Sequence, residues 1–217
     1  MTSDKQLLTD HIWWRPGWRP GRDYLTWHVL PDATVARSLA PRRDALRRVE
    51  HLAVVRPDRL HVTGPGVGFV GDVGPSAVAG LASAARARLA HVPPFVAQLG
   101  DVIIGGNAVL VPVEATRLAV ARSALREAVR DVGLEPPGDD DETYRPHLTL
   151  AYATGPARRS VISDALADVG PGEPQALAVR AFTLLALRMQ PPGYQWTEIA
   201  RVELGSGSPR HATTPAP

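Results

Sequence analysis

Two similar stretches stand out in the sequence: Pro146-His147-Leu148-Thr149-Leu150-Ala151-Tyr152 and the shorter His61-Val62-Thr63. Each contains a histidine and a threonine two residues apart, with an apolar residue between them. Residues i and i+2 of a β-strand point to the same face. Each stretch therefore predicts a strand that presents an imidazole and a hydroxyl side by side, while Val62 or Leu148 faces the core.

The candidate catalytic residues are the two histidine–threonine pairs, His61, Thr63, His147 and Thr149. Imidazoles titrate near neutral pH and can both accept and donate a proton, and neutral hydroxyls can donate hydrogen bonds to developing negative charge. This set suits in-line displacement at a phosphodiester, where one histidine takes a proton from the attacking oxygen and the other protonates the leaving oxygen. The reaction requires no metal, so we expect no metal site and no cofactor.

Around these motifs, strand and helix patterns alternate along the chain. Most predicted strands are hairpin neighbours or flank a helix, which favours an α+β fold with antiparallel sheet. Helix ends are marked by Pro75 in a first turn and by Gly133 after a last turn. The predicted strands are 24–30, 60–63, 95–104, 108–113, 147–152, 177–189 and 194–204, and the predicted helices are 32–49 (interrupted near Pro41), 75–89, 115–132 and 157–169.

The chain divides into three parts. Residues 1–22 are a Trp- and Pro-rich arm that holds three of the five tryptophans between helix-breaking residues. Residues 23–204 form a single domain, and residues 205–217 are a polar, Pro-rich tail that we expect to be disordered. The indoles of the arm either cover an apolar edge of the domain, which we favour, or stack on a substrate.

Composition excludes several classes of protein. The 217 residues contain no cysteine, which rules out a disulfide framework, a thiolate nucleophile and Cys-ligated metals. A formal net charge of +2 does not suit a protein that coats long nucleic acids. No apolar run is long enough to cross a bilayer, and the N-terminus lacks a signal-peptide pattern. We therefore expect a cytoplasmic protein without membrane contact.

The motifs and their surroundings resemble the two-histidine (2H) phosphoesterases, and within them the 2′-5′ RNA ligase and RNA 2′,3′-cyclic phosphodiesterase branch. The resemblance covers most of residues 24–204. It implies two pseudo-symmetric lobes of antiparallel sheet and helices around a central cleft, with the two histidines and two threonines at its floor. Besides the two motifs, it is carried by Val29-Leu30-Pro31, Phe69-Val70-Gly71-Asp72-Val73, Arg145-Pro146 and Pro192-Gly193-Tyr194.

This family implies a metal-independent phosphodiesterase that hydrolyses a 2′,3′-cyclic phosphate or a 2′-5′ phosphodiester by two-histidine acid–base catalysis. The expected partners are RNA 3′ ends or cyclic nucleotides, and we expect a monomer. Two alternatives stay open: an enzyme of this fold repurposed for a specialised-metabolite substrate, and a non-catalytic domain that binds RNA ends. The intact second motif and the small net charge argue against the binding domain.

One stretch departs from the family pattern. After Thr63 the chain has Gly64-Pro65-Gly66, and the distance to Phe69 is about three residues longer than in the family pattern. Such a stretch predicts a break or bulge in the strand just beyond Thr63. It is either a neutral loop insertion, which we favour, or a change that reshapes the cleft.

Three further residues are candidates for substrate binding. Arg145 is offset by two from His147, so it shares that face of the strand and either pairs with a phosphate or points to solvent. Tyr152 lies on the opposite face of an ideal strand yet closes the motif, and it either turns into the cleft or faces away. Tyr194 either stacks on a base or packs between the lobes. His28 is interpreted as a core or rim histidine.

Overall fold

The structure is a computed structural model that describes residues 6–11, 17–138, 144–170 and 175–205. The predictions for Trp13, Trp14 and residues 206–217 of the tail lie outside the described residues. The helices are α1 (Ala33–Ser38), α2 (Ala40–Leu46), α3 (Val70–Val73), α4 (Pro75–Leu89), α5 (Thr116–Asp131) and α6 (Arg159–Ala167). The strands are β1 (Leu7–Leu8), β2 (Asp23–Val29), β3 (Leu52–Val54), β4 (Val62–Phe69), β5 (Phe95–Leu99), β6 (Ile103–Ile104), β7 (Ala108–Pro112), β8 (His147–Ala153), β9 (Ala157–Arg158), β10 (Gln175–Val179), β11 (Ala181–Gln190) and β12 (Gly193–Glu203).

Eight strands form one antiparallel sheet in the order β12-β11-β2-β4-β8-β7-β6, with β3 paired to β8. The predicted α+β class with antiparallel sheet is confirmed. The pair β4–β8 joins the half that contains β2, β11 and β12 to the half that contains β3, β6 and β7. Val62 pairs with Leu148 at this junction, and both side chains are fully buried. The two halves therefore share one continuous sheet.

The helices bury the apolar residues that their spacing predicts. In α5, Leu118, Leu125 and Val129 are fully buried, and α5 packs on α4 and contacts β4. Helix α4 begins at Pro75, as predicted, and Gly133 follows α5 in a left-handed conformation with φ of 80°. On the other half, α2 contacts β8 and α6. Within the described ranges, no helix is long and apolar enough to span a bilayer.

Two of the predicted long strands are each divided between two sheets. The predicted strand 95–104 is β5 followed by β6, and the predicted strand 177–189 is β10 followed by β11. β5 and β10 pair with each other in a separate two-stranded sheet, whereas β6 and β11 belong to the main sheet. The chain changes sheets near Gly100 and at Arg180, where a glycine and a charged residue interrupt the two apolar runs. Each predicted strand therefore has two pairing partners.

Strand β4 continues through Gly64-Pro65-Gly66 and absorbs the extra residues as bulges. The pairing register between β4 and β2 shifts twice. Thr63 pairs with His28, Gly66 pairs with Thr26, and Gly68 pairs with Leu25. These pairs leave one extra residue of β4 on each side of Gly66. The bulge predicted just beyond Thr63 is present, and the strand does not break there.

The described part of the N-terminal arm is anchored on the domain. β1 pairs with β9, and Leu8 is fully buried. The backbone N–H of Thr9 donates to the Gly106 carbonyl at 2.9 Å, and that of His11 donates to the Ala153 carbonyl at 2.9 Å. Residues 6–11 therefore extend the domain along the C-terminal end of β8, where His11 also stacks on Tyr152.

Candidate active site

The two histidine–threonine motifs lie next to each other in the sheet. Because β4 and β8 are antiparallel and Val62 pairs with Leu148, one step along the strands places His61 beside Thr149 and Thr63 beside His147. Val62 and Leu148 point into the core, so these four side chains share the opposite face. All four line one cavity of about 610 Å³, which we call the central cavity.

Both imidazoles are oriented by the same backbone hydrogen bond. His61 Nδ1 lies 2.9 Å from the Arg59 carbonyl oxygen, and His147 Nδ1 lies 2.8 Å from the Arg145 carbonyl oxygen. A carbonyl oxygen only accepts, so each Nδ1 carries the hydrogen. In each neutral ring Nε2 is then the basic nitrogen, and it is the atom through which the ring exchanges protons.

The two threonines differ in burial. Thr149 is nearly buried, whereas Thr63 is exposed. The backbone carbonyl of Thr63 accepts a hydrogen bond from the Tyr144 hydroxyl at 2.9 Å. Arg122 lies over the Tyr144 ring, with its Cζ 4.8 Å from the ring centre. The Thr63 end of the motif is thus held from the side of α5.

Arg145 lies beside the central cavity and not in its lining. Its side chain is exposed and lines a smaller cavity of about 270 Å³, which also touches Thr63 and His147. Its backbone carbonyl orients His147. The structure therefore places Arg145 within reach of the same imidazole from the outer side.

Tyr152 faces the central cavity because β8 contains a bulge. Thr149 pairs with Leu110 of β7, and Ala151 and Tyr152 pair with Val109 and Ala108. Leu150 is therefore left without a pairing partner in β7. One extra residue reverses the alternation of side chains. Tyr152 consequently points to the same face as Thr149, although a regular strand would turn it away.

Tyr194 completes a continuous row of rings, which we call the aromatic wall. Its hydroxyl lies 3.0 Å from His11 Nε2, and its ring centre lies 5.7 Å from that of Tyr152. His11 stacks on Tyr152 at 4.2 Å. Every member lines the central cavity, and successive ring centres are at most 5.9 Å apart: Phe69, Tyr24, Trp18, Tyr194, Tyr152 and His11.

His28 is buried, as predicted, and it lines the central cavity as well. Its ring stacks on His61 with centres 4.5 Å apart and an angle of 16° between the planes. Burial, and secondarily the charge of His61, lower the pKa of His28 well below 6.5. Trp196 presents an edge-to-face contact to His61 at 5.4 Å. His61 is therefore packed between two rings.

The central cavity has an aromatic lining whose ionisable side chains are imidazoles and tyrosine phenols. Among the described residues that line it there is no aspartate, glutamate, lysine or arginine. Across residues 6–11, 17–138, 144–170 and 175–205, no three histidine or carboxylate side chains are grouped as metal ligands would be. Burial raises the pKa of Tyr24, which keeps that phenol neutral. Proton transfer in this cavity is thus left to imidazoles.

Comparison with known proteins gives one family and several structures of the same fold. The profile of the 2′-5′ RNA ligase superfamily matches residues 32–189. TT0787 of Thermus thermophilus is 23% identical, with 83% of this chain and 97% of that chain covered and a TM-score of 0.62. E. coli LigT is 18% identical in its apo form, with 85% and 98% covered and a TM-score of 0.61. Its complex with 3′-AMP is 19% identical, with 84% and 98% covered and a TM-score of 0.62. No curated protein matches the chain.

Proposed function

The chain belongs to the 2′-5′ RNA ligase superfamily, and on that premise we propose that it hydrolyses a 2′,3′-cyclic phosphate, or a 2′-5′ phosphodiester, at an RNA end or on a small nucleotide. Membership in this superfamily supports phosphoesterase activity but does not identify the substrate or the mechanism. The proposal adds the substrate and assigns the reaction to His61, Thr63, His147 and Thr149.

One observation carries the proposal: two imidazoles with Nδ1 tied to the backbone share a cavity and an adjacent pair of strands. Water attacks phosphorus while the Nε2 of one ring takes its proton. The bond from phosphorus to the ribose oxygen breaks, and the other ring, protonated beforehand, gives that oxygen a proton. The hydroxyls of Thr63 and Thr149 donate to the non-bridging oxygens, where negative charge develops.

The surroundings of the cavity support a nucleotide as the ligand. The LigT structures of the same fold include complexes with 3′-AMP and with phosphate. A base has a π-face that stacks on aromatic side chains, and here the aromatic wall lies along the cavity that holds the two motifs. We assign base stacking to Tyr194 and Tyr152, and a phosphate contact to Arg145.

The test is turnover of the four nucleoside 2′,3′-cyclic monophosphates by purified protein in EDTA, with the product identified by phosphorus NMR. We expect hydrolysis to a nucleoside monophosphate that is unaffected by the chelator, because the proposed steps use imidazoles and hydroxyls and no metal ion. His91→Ala is the matched control, since His91 is exposed and lies outside the cavity. Absence of turnover, or turnover that vanishes with EDTA and returns with one metal ion, would overturn the proposed mechanism.

A further inference from the structure

The repeated motif is longer than its histidine and threonine. Both copies carry an arginine two residues before the histidine: Arg59-Leu60-His61-Val62-Thr63 and Arg145-Pro146-His147-Leu148-Thr149. In both copies the carbonyl of that arginine accepts the hydrogen bond from Nδ1. Because β4 and β8 run in opposite directions, the two arginines lie at opposite ends of the row of catalytic side chains.

Each arginine side chain lines a cavity that adjoins the central cavity at its own histidine. Arg145 lines the 270 Å³ cavity that touches His147. Arg59 lines a cavity of about 320 Å³, which we call the Arg59 cavity, and this cavity shares His61, Tyr152 and Tyr194 with the central one. A ligand held at His61 can therefore extend directly into the Arg59 cavity.

The Arg59 cavity carries positive charge, unlike the central cavity. Arg56 and Arg59 both line it, and Asp58 is the carboxylate beside them. Arg56 donates two hydrogen bonds to Asp58, at 3.0 and 2.8 Å, whereas Arg59 approaches that carboxylate only to 3.6 Å. One carboxylate between two guanidinium groups leaves one positive charge in excess.

Arg59 is held in place by an aromatic ring and not by a strong ion pair. Its Cζ lies 4.6 Å from the centre of the Trp196 ring, which also contacts His61. Stacking on a ring leaves the N–H groups at the rim of a guanidinium available to oxygen acceptors. With the side chain about 29% exposed, the group is fixed yet accessible.

We propose that the Arg59 cavity binds a second phosphate of the substrate, so that the preferred substrates are nucleotides with a phosphate in addition to the scissile one. This inference rests on the proposed function. A guanidinium recognises phosphate through charge-assisted, often bidentate hydrogen bonds, and the described lining of the central cavity offers no cation of that kind. The scissile phosphate lies between the imidazoles, and the second phosphate lies at Arg59.

The experiment compares kcat/KM for a nucleoside 2′,3′-cyclic monophosphate with and without a 5′-phosphate. For the wild type we expect the 5′-phosphorylated substrate to be preferred by about tenfold or more, the factor that one charge-assisted hydrogen bond supplies. Arg59→Gln keeps the backbone carbonyl that orients His61, and it is expected to bring the ratio close to one. Asp58→Asn removes the competing carboxylate and is expected to increase the ratio.

Arg201→Gln is the matched control, because Arg201 pairs with a carboxylate two residues away, as Arg56 does, but lies on β12 outside these cavities. Its ratio should equal that of the wild type. A wild-type ratio of one, or a ratio that Arg59→Gln leaves unchanged, overturns the inference.

Binding measurements test the phosphate site independently of the proposed reaction. If neither substrate is turned over, the proposed function fails. Calorimetric titration with a nucleoside 3′-monophosphate and a nucleoside 3′,5′-bisphosphate then shows whether the Arg59 cavity binds the second phosphate. Tighter binding of the bisphosphate that is lost in Arg59→Gln supports the phosphate site by itself. Equal affinities for the two ligands in the wild type reject it.

Discussion

At the scale of single residues, the two catalytic candidates are alike in orientation and unlike in surroundings. Both imidazoles give their Nδ1 hydrogen to the carbonyl two residues earlier. His61 is also packed between His28 and Trp196. The backbone bonds fix the tautomer of both rings, and a ring with a fixed tautomer needs less reorganisation when it transfers a proton.

Replacing either of the two candidate catalytic histidines tests the proposed mechanism directly. His61→Ala and His147→Ala are each expected to lower kcat on a 2′,3′-cyclic nucleotide by roughly 10²- to 10⁴-fold, because each removes one of the two proton transfers. Thr63→Val and Thr149→Val remove one donor each, and we expect a smaller loss of roughly 10- to 10³-fold. His91→Ala serves as the control, and wild-type activity in either histidine variant would rule out the paired mechanism.

His28 predicts how stability depends on pH. Its folded-state pKa is lowered by burial and by His61, while the unfolded chain titrates near the ordinary value of about 6.5. Below that pH the unfolded state binds a proton that the folded state does not. This contribution to the free energy of unfolding is therefore complete above about pH 6.5 and is lost as the pH falls below it.

The measurement is urea unfolding at pH 8 and pH 5. Wild type should lose more stability between these values than His28→Phe, by up to about 1.4 kcal/mol per pH unit over the range where only the unfolded state is protonated. Phenylalanine keeps a ring against His61 and has no proton to bind. An equal loss in both proteins would show that His28 titrates normally in the folded chain.

At the scale of elements, the bulges in β4 and β8 decide which side chains reach the central cavity. Periodicity predicted β8 closely, but it predicted only a short strand over 60–63 where β4 spans Val62–Phe69. The spacing of histidine and threonine predicted one shared face in each strand, and all four side chains line the central cavity. The pattern could not predict that Leu150 is left out of the ladder, since a bulge changes the pairing register without changing the sequence of apolar residues. The direction of the Tyr152 side chain therefore depends on the pairing register between β7 and β8, which the apolar pattern does not predict.

The bulged part of β4 depends on glycine at position 66. A Cβ at this position would overlap the Tyr24 hydroxyl. We expect Gly66→Ala to lower the free energy of unfolding by about 1–3 kcal/mol, the cost of an overpacked site. Gly71→Ala is the control, because a Cβ there meets nothing within 4 Å.

The second variant in this series is the double substitution Gly66→Ala with Tyr24→Phe. Removing the hydroxyl takes away the nearest of the Tyr24 atoms that the new methyl group meets, while the ring carbons at 3.1 and 3.2 Å stay, so part of the lost stability should return. Denaturant midpoints of the wild type, Gly66→Ala, Tyr24→Phe and the double variant give the coupling between the two positions. A Gly66→Ala protein as stable as Gly71→Ala would mean that the tyrosine moves aside without cost.

At the scale of the whole molecule, the sheet and the two motifs could be predicted, whereas the composition of the central cavity could not. The motifs repeat a local pattern that has a direct geometric meaning. The aromatic wall instead joins residues that are far apart in sequence, from His11 in the arm to Tyr194 in the closing hairpin. Arg59 could have been found from the sequence, because it precedes His61 by two residues, as Arg145 precedes His147.

The arm contributes Trp18 to the central cavity, outside the residues that match the family profile. Its ring lies 5.6 Å from Tyr24 and 5.9 Å from Tyr194. These contacts favour the substrate-stacking alternative for this tryptophan over simple coverage of an apolar edge. We therefore predict that Trp18 acts on substrate binding and not on the chemical step, since the proposed proton transfers use the imidazoles.

Trp18→Ala is accordingly expected to raise KM for a cyclic nucleotide by about tenfold, the lower range for loss of one base-stacking contact, with little change in kcat. Trp18→Phe should recover most of the wild-type KM, because a phenyl ring still offers a stacking face. Leu7→Ala is the control within the arm, where the side chain is 37% exposed and lies away from the central cavity. If Trp18→Ala lowers kcat and leaves KM unchanged, the arm supports the catalytic geometry and does not bind the base.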